Sequence, residues 1–253
     1  MNRKQSMTVW LVLALAVIAA LLAFGQLTPM ACAQAETPTP EPPKPTPVPM
    51  AEMRTETIKS PALEGNLLGD PAERTVYVIL PPDYAATDKR YPVVYVMPWG
   101  DGNPTDNAMG FKRTMEALYR KGDLKEMIAV VPHGTSKLGW SQFRSSPTIG
   151  DYETYVTRDR VNYVDAHYRT LPARDSRALS GCCAGGTSSM RLGLKYSDVF
   201  SVIAVTDGQY IFEQMLVDLG VEHEYTEVEA YHCGYGWEEA GLKYIASNLA
   251  FEE

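Results

Sequence analysis

The sequence predicts an α/β fold, a mostly parallel sheet with helices on both faces. Two observations carry that expectation. Apolar runs at 92–97, 127–131 and 199–205 lack polar alternation, as in parallel strands buried on both sides. Between them lie amphipathic stretches of helical length, at about 108–120 and 152–167. Regular alternation of the two kinds of segment is the pattern of a parallel sheet with crossover helices.

The elements follow in order. Arg74 to Leu80 alternates as a strand that Pro81-Pro82-Asp83 stops, and Glu56 to Ser60 is expected to pair with it. Pro92 to Met97 forms the first buried strand and ends in the loop Pro98-Trp99-Gly100-Asp101-Gly102. Met109, Met115 and Leu118 mark a helix from about Ala108 to Arg120, and Met127 to Val131 is the next buried strand, closed by Pro132-His133-Gly134. Tyr155, Val161, Tyr163 and Val164 give Tyr152 to His167 an apolar face. Arg177 to Ser180 is a strand, a helix is expected from about Thr187 to Tyr196, and Val199 to Val205 is a further strand ending at Thr206-Asp207-Gly208. Ile211 to Leu219 reads as a helix capped by Gly220, Glu224 to Val228 as a strand, and Trp237 to Phe251 as a terminal helix.

The chain divides into three parts. Residues 1–35 hold the basic start Asn2-Arg3-Lys4-Gln5 and the apolar run Thr8 to Phe24, the layout of a secretory signal. Ala31-Cys32-Ala33 offers a cleavage site; a lipidated Cys32 and an uncleaved anchor are the alternatives, and all three readings put the remainder outside the cytoplasm, with membrane attachment through the N-terminus under the last two. Residues 36–50 alternate proline with threonine, glutamate and lysine, a semi-rigid linker. Residues 51–253 make one domain. A net charge of −8 argues against a nucleic-acid partner, which would call for a basic face.

Chemistry concentrates at Leu179-Ser180-Gly181-Cys182-Cys183-Ala184-Gly185-Gly186. The G-x-C-x-G-G pattern has the form of a nucleophile elbow with Cys183 at its apex, where glycines let a strand turn sharply into a helix. The N-terminus of that helix would favour a thiolate and a developing oxyanion. The alternative is a glycine-rich turn with two buried cysteines. Ser180 precedes the first glycine and belongs to the strand, and Cys182 fills the variable position. Without Cys32, Cys182, Cys183 and Cys233 remain, an odd count that leaves one thiol unpaired. Oxidation is expected to capture Cys183 in a disulfide or as a sulfenic acid; the alternative is a Cys182–Cys233 staple that leaves Cys183 over.

Several stretches together carry a resemblance over nearly all of the 51–253 domain. Val78-Ile79-Leu80-Pro81-Pro82-Asp83-Tyr84, Tyr91 to Val96, Tyr152-Glu153-Thr154-Tyr155, Tyr163 to Thr170 and the elbow resemble the esterase D type of α/β-hydrolase, which includes feruloyl and acetylxylan esterases, S-formylglutathione hydrolases and mycolyltransferases. The resemblance implies an α/β-hydrolase fold and a nucleophile-His-Asp hydrolase of acyl esters. Cys183 stands where that family has serine, an arrangement similar to dienelactone hydrolases. Pro98-Trp99 replaces the family's His-Gly, so that an oxyanion hole would use the N–H of Ala184 with that of Trp99 or Gly100. The segment after Val205 is shortened.

Glu227 to His232 matches the family's run into its catalytic histidine, which makes His232 the expected base. Asp207 is the expected acid by its place after a parallel strand, with a turn-forming role before Gly208 as the equal alternative and Glu229 as the fallback. His133, His167 and His223 read as surface or packing residues. No spacing among the histidines suggests a metal, and no cofactor is implied. The expectation is thus an exported carboxylic-ester or thioester hydrolase with a Cys183-His232-Asp207 triad, acting on carbohydrate-linked or small acyl esters. The alternative is a catalytically inactive binding module on the same scaffold.

Overall fold

The computed structural model describes residues 50–100, 103–207, 210–225, 233 and 236–252. The expected leader and nearly all of the expected linker lie outside them. Within the described residues six strands form one sheet in the order β1 (Glu52–Lys59), β2 (Glu73–Leu80), β4 (Ile128–Pro132), β3 (Val93–Met97), β5 (Arg177–Cys182) and β6 (Val202–Thr206). β1 and β2 pair antiparallel, as do β2 and β4, while β4, β3, β5 and β6 run parallel. The expected fold class is the one observed.

Alternate residues of the central strands serve two cores, which is why those strands read as unbroken apolar runs. Val93, Tyr95, Met97, Ile128, Val130 and Leu179 face one cluster, completed by Tyr152, Tyr155, Val161 and Val164. Val94, Val96, Ala129, Val131 and Ala178 face the other, where helices α1 (Pro104–Lys121) and α5 (Trp237–Asn248) bring Phe111, Met115, Leu118, Leu242 and Ile245. Each fully buried Val, Leu, Ile, Phe or Met among them contributes about 1.5–3 kcal/mol of transfer free energy.

Several boundaries move. α1 starts at Pro104, four residues before the expected Ala108, because Asn103 accepts from the Thr105 N–H and proline suits the first turn. The stretch from Tyr152 to His167 is a helical turn, Tyr152–Thr154, a π-turn, Tyr155–Asp159, and helix α2, Arg160–His167. The widened turn lets buried Arg160 donate twice to the Val156 carbonyl while its guanidinium lies 4.5 Å from the Tyr95 ring centroid. Helix α3 covers Ala184–Lys195, three residues ahead of the expected start. β6 begins at Val202, since Val199 and Phe200 are buried in the connection from α3.

β6 ends at Thr206 and helix α4 begins at Tyr210 (Tyr210–Asp218), so the connection after β6 is short, as read from the sequence. Gly220 comes next with φ +64°, as its capping role requires. Of the expected strand at Glu224–Val228, Glu224 and Tyr225 are irregular and exposed, and the rest lies outside the described residues. Among the described residues, no helix is long and apolar enough to cross a membrane.

Candidate active site

Cys183 stands between β5 and α3 with φ 54° and ψ −122°, a conformation that L-residues rarely adopt. The surrounding backbone permits it only because two neighbours lack side chains. A Cβ on Gly181 would lie 2.5 Å from the Gly185 carbonyl carbon, and one on Gly185 would lie 2.2 Å from the Met97 oxygen and 2.7 Å from that of Pro98. The first turn of α3 is thus packed against the exit of β3. Sequence propensity hides this helix start, because glycines at 185 and 186 are poor helix formers, yet close approach demands them.

The apex is held from both sides. The Cys183 N–H donates to the Thr206 carbonyl at 3.2 Å, tying the elbow to the end of β6, and the Cys183 carbonyl accepts from the Thr187 N–H at 2.9 Å. The N–H of Ala184 belongs to the first turn of α3, where no intrahelical acceptor exists. The thiol of Cys183 is unpaired and partly exposed.

A cleft of about 270 Å³ opens over it. Cys183, Ala184, Thr187, Ser188 and Arg191 line one side, Gln142 and Arg144 the other, and Asp207 the end nearest β6. Register explains the meeting of Cys183 and Asp207: Thr206 pairs with Cys182 in adjacent parallel strands, so the next residue of each strand emerges at the same edge.

The Gln142 wall has no motif. Phe143 is fully buried at φ 49°, edge-on to Trp140 with ring centroids 4.9 Å apart, and Gly134 must be glycine because its Cβ would meet the Phe143 ring at 2.6 Å. The anchored ring turns the Gln142 and Phe143 carbonyls toward α3. Ser188 Oγ donates to Gln142 O at 3.2 Å, and Arg191 Nη2 donates to Gln142 O at 3.2 Å and to Phe143 O at 2.8 Å. Buried Glu153 fixes Arg191 through an ion pair and also accepts from Lys195 Nζ at 2.6 Å and Tyr196 Oη at 2.9 Å. Burial pushes the Glu153 carboxyl up, but hydrogen bonds from Lys195 and Tyr196 and the charge of Arg191 outweigh it and hold the carboxyl below its ordinary range. Sequence reasoning missed Gln142, Arg144 and Arg191; the only signal was Glu153 within Tyr152-Glu153-Thr154-Tyr155.

A disulfide joins Cys182 to Cys233, with Cα atoms 5.9 Å apart. The expectation that oxidation links Cys183 to another cysteine is corrected: Cys182 and Cys233 are paired with each other, and among the described residues Cys183 is the one left over. The Cys233 N–H donates to Asp207 Oδ2 at 2.5 Å.

The remaining site residues fall as follows. Cys183, Ala184 and Asp207 come together at the cleft. Trp99, which is 48% exposed, and Gly100, at φ +58°, lie on the turn after β3 and do not line the cleft; the Trp99 N–H donates to Asn107 Oδ1 at 3.4 Å. His232 and Glu229 lie outside the described residues. Of the other histidines, half-buried His133 has its pKa lowered by burial and by Arg74, His167 stacks on Tyr163 at 4.0 Å, and His223 Nδ1 lies 2.7 Å from Val221 O. None of these three lines the cleft. Ser180 is buried within β5.

A parallel sheet whose elbow carries a nucleophile-type residue on a strained turn is the architecture of an α/β-hydrolase. The family model described as Esterase matches residues 71–210, which is 140 of 253, and the chain belongs to that family, in its esterase D type. Carboxylic-ester hydrolysis is the chemistry of the class. Esterase Rv1288 of Mycobacterium tuberculosis (strain ATCC 25618 / H37Rv) and Esterase MT1326 of strain CDC 1551 / Oshkosh are each 31% identical over 131 residues, covering 50% of this chain and 27% of theirs. The chain therefore spans about a quarter of the length of the curated relatives it matches. Among solved structures, a ferulic acid esterase superposes with a TM-score of 0.65 at 20% identity, covering 79% of this chain and 99% of its own. A CE1 ferulic acid esterase from Anaeromyces mucronatus in complex with ferulic acid superposes with a TM-score of 0.62 at 19% identity, covering 81% and 93%. These two likenesses show the fold.

Proposed function

We propose that the protein is an exported carboxylic-ester or thioester hydrolase in which Cys183 is the nucleophile, His232 the base and Asp207 the acid that orients it. The observation that carries this reading is the strained Cys183 backbone, which puts an unpaired thiol at a helix N-terminus facing a cleft that Asp207 shares. In the first half-reaction His232 takes the thiol proton as the sulfur attacks the acyl carbon. The C–O bond of the ester, or C–S of a thioester, then breaks, and the leaving alkoxide or thiolate takes that proton. The resulting acyl-thioester is cleaved by a water that gives a proton to His232, releasing the acid and restoring the thiol. The N–H of Ala184 faces the oxyanion in both halves.

Esters of phenolic or other small acyl groups, including carbohydrate-linked ones, are the substrate class. Support comes from family membership and from the ferulic acid esterase folds. The test is turnover of p-nitrophenyl acyl esters and feruloyl esters by the purified protein and by Cys183→Ala. Turnover by the former alone supports the reading, and no turnover of any ester contradicts it. One observation favours a non-catalytic glycan-binding module instead: the Trp99 N–H already donates to Asn107. On that reading a sugar ligand would raise Tm in a protein that never forms an acyl adduct.

A further inference from the structure

The wall of the cleft across from α3 carries two side chains to which the hydrolytic chemistry gives no task, Gln142 and Arg144. Both residues are exposed, and among the described residues neither the Gln142 amide nor the Arg144 guanidinium has a hydrogen bond or an ion pair. The neighbouring charges are engaged. Arg191 is held by Glu153 and by the Gln142 and Phe143 carbonyls, Lys195 is held by Glu153, and Asp207 accepts from the Cys233 N–H. Among the described residues that line the cleft, Arg144 thus carries the uncommitted positive charge, on the side opposite Cys183 and Ala184.

The head of Arg144 is free, but its backbone is fixed from both directions. Phe143 before it is anchored by a buried ring packed edge-on against Trp140. The Arg144 N–H itself donates to Ser141 O at 3.1 Å. Ser145 after it pairs with Asp151 in a short antiparallel ladder, donates through Oγ to the Asp151 carboxylate and accepts there from the Glu153 N–H at 3.1 Å. The ordering cost of binding at this wall therefore falls on one side chain and not on a loop.

We infer that the natural substrate is an ester that carries a carboxylate, in its acyl half or its alcohol half, and that Arg144 is the residue that selects it. The inference rests on the reading of Cys183 as the nucleophile of an ester hydrolase. A guanidinium matches a carboxylate with two parallel N–H donors, and the Gln142 amide beside it offers one more. One uncommitted cation suits a monoanion; a doubly charged phosphate would call for a second. The cleft, at about 270 Å³, is small for a ligand pocket, so a group held at Arg144 stays within the span of one short substrate from the Cys183 sulfur. A chain of net charge −8 repels an anion at long range, so a substrate of that sign needs a cation at the site itself.

The experiment compares wild type with Arg144→Gln, Arg144→Lys and Arg144→Glu on two pairs of esters. Mono-p-nitrophenyl adipate and its methyl ester place the carboxylate, or its neutral counterpart, in the acyl half. 4-Acetoxybenzoate and its methyl ester place it in the leaving half. The quantity read is the ratio of kcat/KM for the acid to that for its methyl ester. Differences in intrinsic reactivity within a pair are the same for every variant, and a general loss of activity cancels. In the pair that matches the natural substrate, Arg144→Gln is expected to lower the ratio on the order of 10–10²-fold, the change that goes with losing a hydrogen bond to a charged group. Arg144→Lys keeps the charge without the fork and falls between, and Arg144→Glu lowers the ratio further. Added salt lowers the wild-type ratio and leaves that of Arg144→Gln unchanged.

Near-UV circular dichroism reports that each variant is folded; if Arg144→Gln is not, Arg144→Lys and the salt series on wild type decide. Ratios that Arg144→Gln leaves as they are in both pairs, or a wild-type ratio indifferent to salt, overturn the proposal. Turnover of neutral p-nitrophenyl acetate by wild type but not by Cys183→Ala shows in either case that the underlying reading stands. No turnover of any of these esters, or equal turnover by Cys183→Ala, removes the reading itself and the proposal with it.

Discussion

Cys183 bears a clear local cost in its backbone. At φ 54° and ψ −122° a residue with a Cβ is strained by about 1–3 kcal/mol, and that cost is tolerated where a reactive atom must be lifted clear of the backbone. Glycine would relieve the strain and lose about 0.5–1 kcal/mol through its freer unfolded chain. Cys183→Gly is therefore expected to be more stable than wild type by about 1 kcal/mol while losing all ester turnover, a pairing read by chemical denaturation and a rate assay. A destabilised variant would mean that the thiol side chain is a packing group. The elbow was legible in the sequence because its chemistry is written in glycines, each needed for a close approach. The strain was not, since no residue type signals a φ that the surrounding fold imposes. Arg144 and Gln142 were equally hidden, because it is the carbonyls of Gln142 and Phe143, common to every residue, that tie their wall to the neighbouring helix.

Among the elements, the contact between α3 and the loop at 142–144 shapes the cleft, and Glu153 governs it. Its carboxylate fixes Arg191, which holds the two loop carbonyls. The folded-state pKa of Glu153 is lowered from its ordinary 4.5, so the stability it contributes is complete above that pH and is lost as pH falls through the folded value. Glu153→Gln should cost about 2 kcal/mol at neutral pH, as hydrogen bonds to a charged group are replaced. Below pH about 4.5 the gap to wild type should narrow, and denaturation curves at pH 7 and below pH 4 measure it. A gap constant across that range would place the effect in packing. Strand positions were legible because burial on two faces leaves a continuous apolar run. Helix starts were less so. Asn103-Pro104 is a start signal outweighed by the later apolar spacing, and the π-turn at Tyr155–Asp159 leaves no mark in that spacing.

For the molecule as a whole, the Cys182–Cys233 bridge closes the chain from the last residue of the elbow strand to the segment before α5. Constraining an unfolded loop over a separation of 51 residues is worth about 4 kcal/mol in the chain-entropy model. Reduction should lower the unfolding free energy by about that amount, a loss that domains of ordinary stability survive in the folded state. Equilibrium denaturation with and without dithiothreitol is the measurement; an unchanged midpoint would show that the bridge does not constrain the unfolded chain. Pairing among three cysteines could not be read from their spacing, because it depends on which loop the sheet edge brings to the elbow. The parallel sheet and the meeting of Cys183 with Asp207 were legible from the alternation of elements, and the shortened connection after β6 from the family resemblance.

The claim that joins these scales is that Cys183 carries the acyl group. Rapid acid quenching of the protein during turnover of a feruloyl or p-nitrophenyl ester, followed by peptide mass spectrometry, tests it most directly. The account predicts the mass of the acyl group on the peptide containing Cys183, labile to hydroxylamine as a thioester is, and absent from Cys183→Ala. An unmodified Cys183 in a protein that still hydrolyses the ester, with Cys183→Ala equally active, would contradict it.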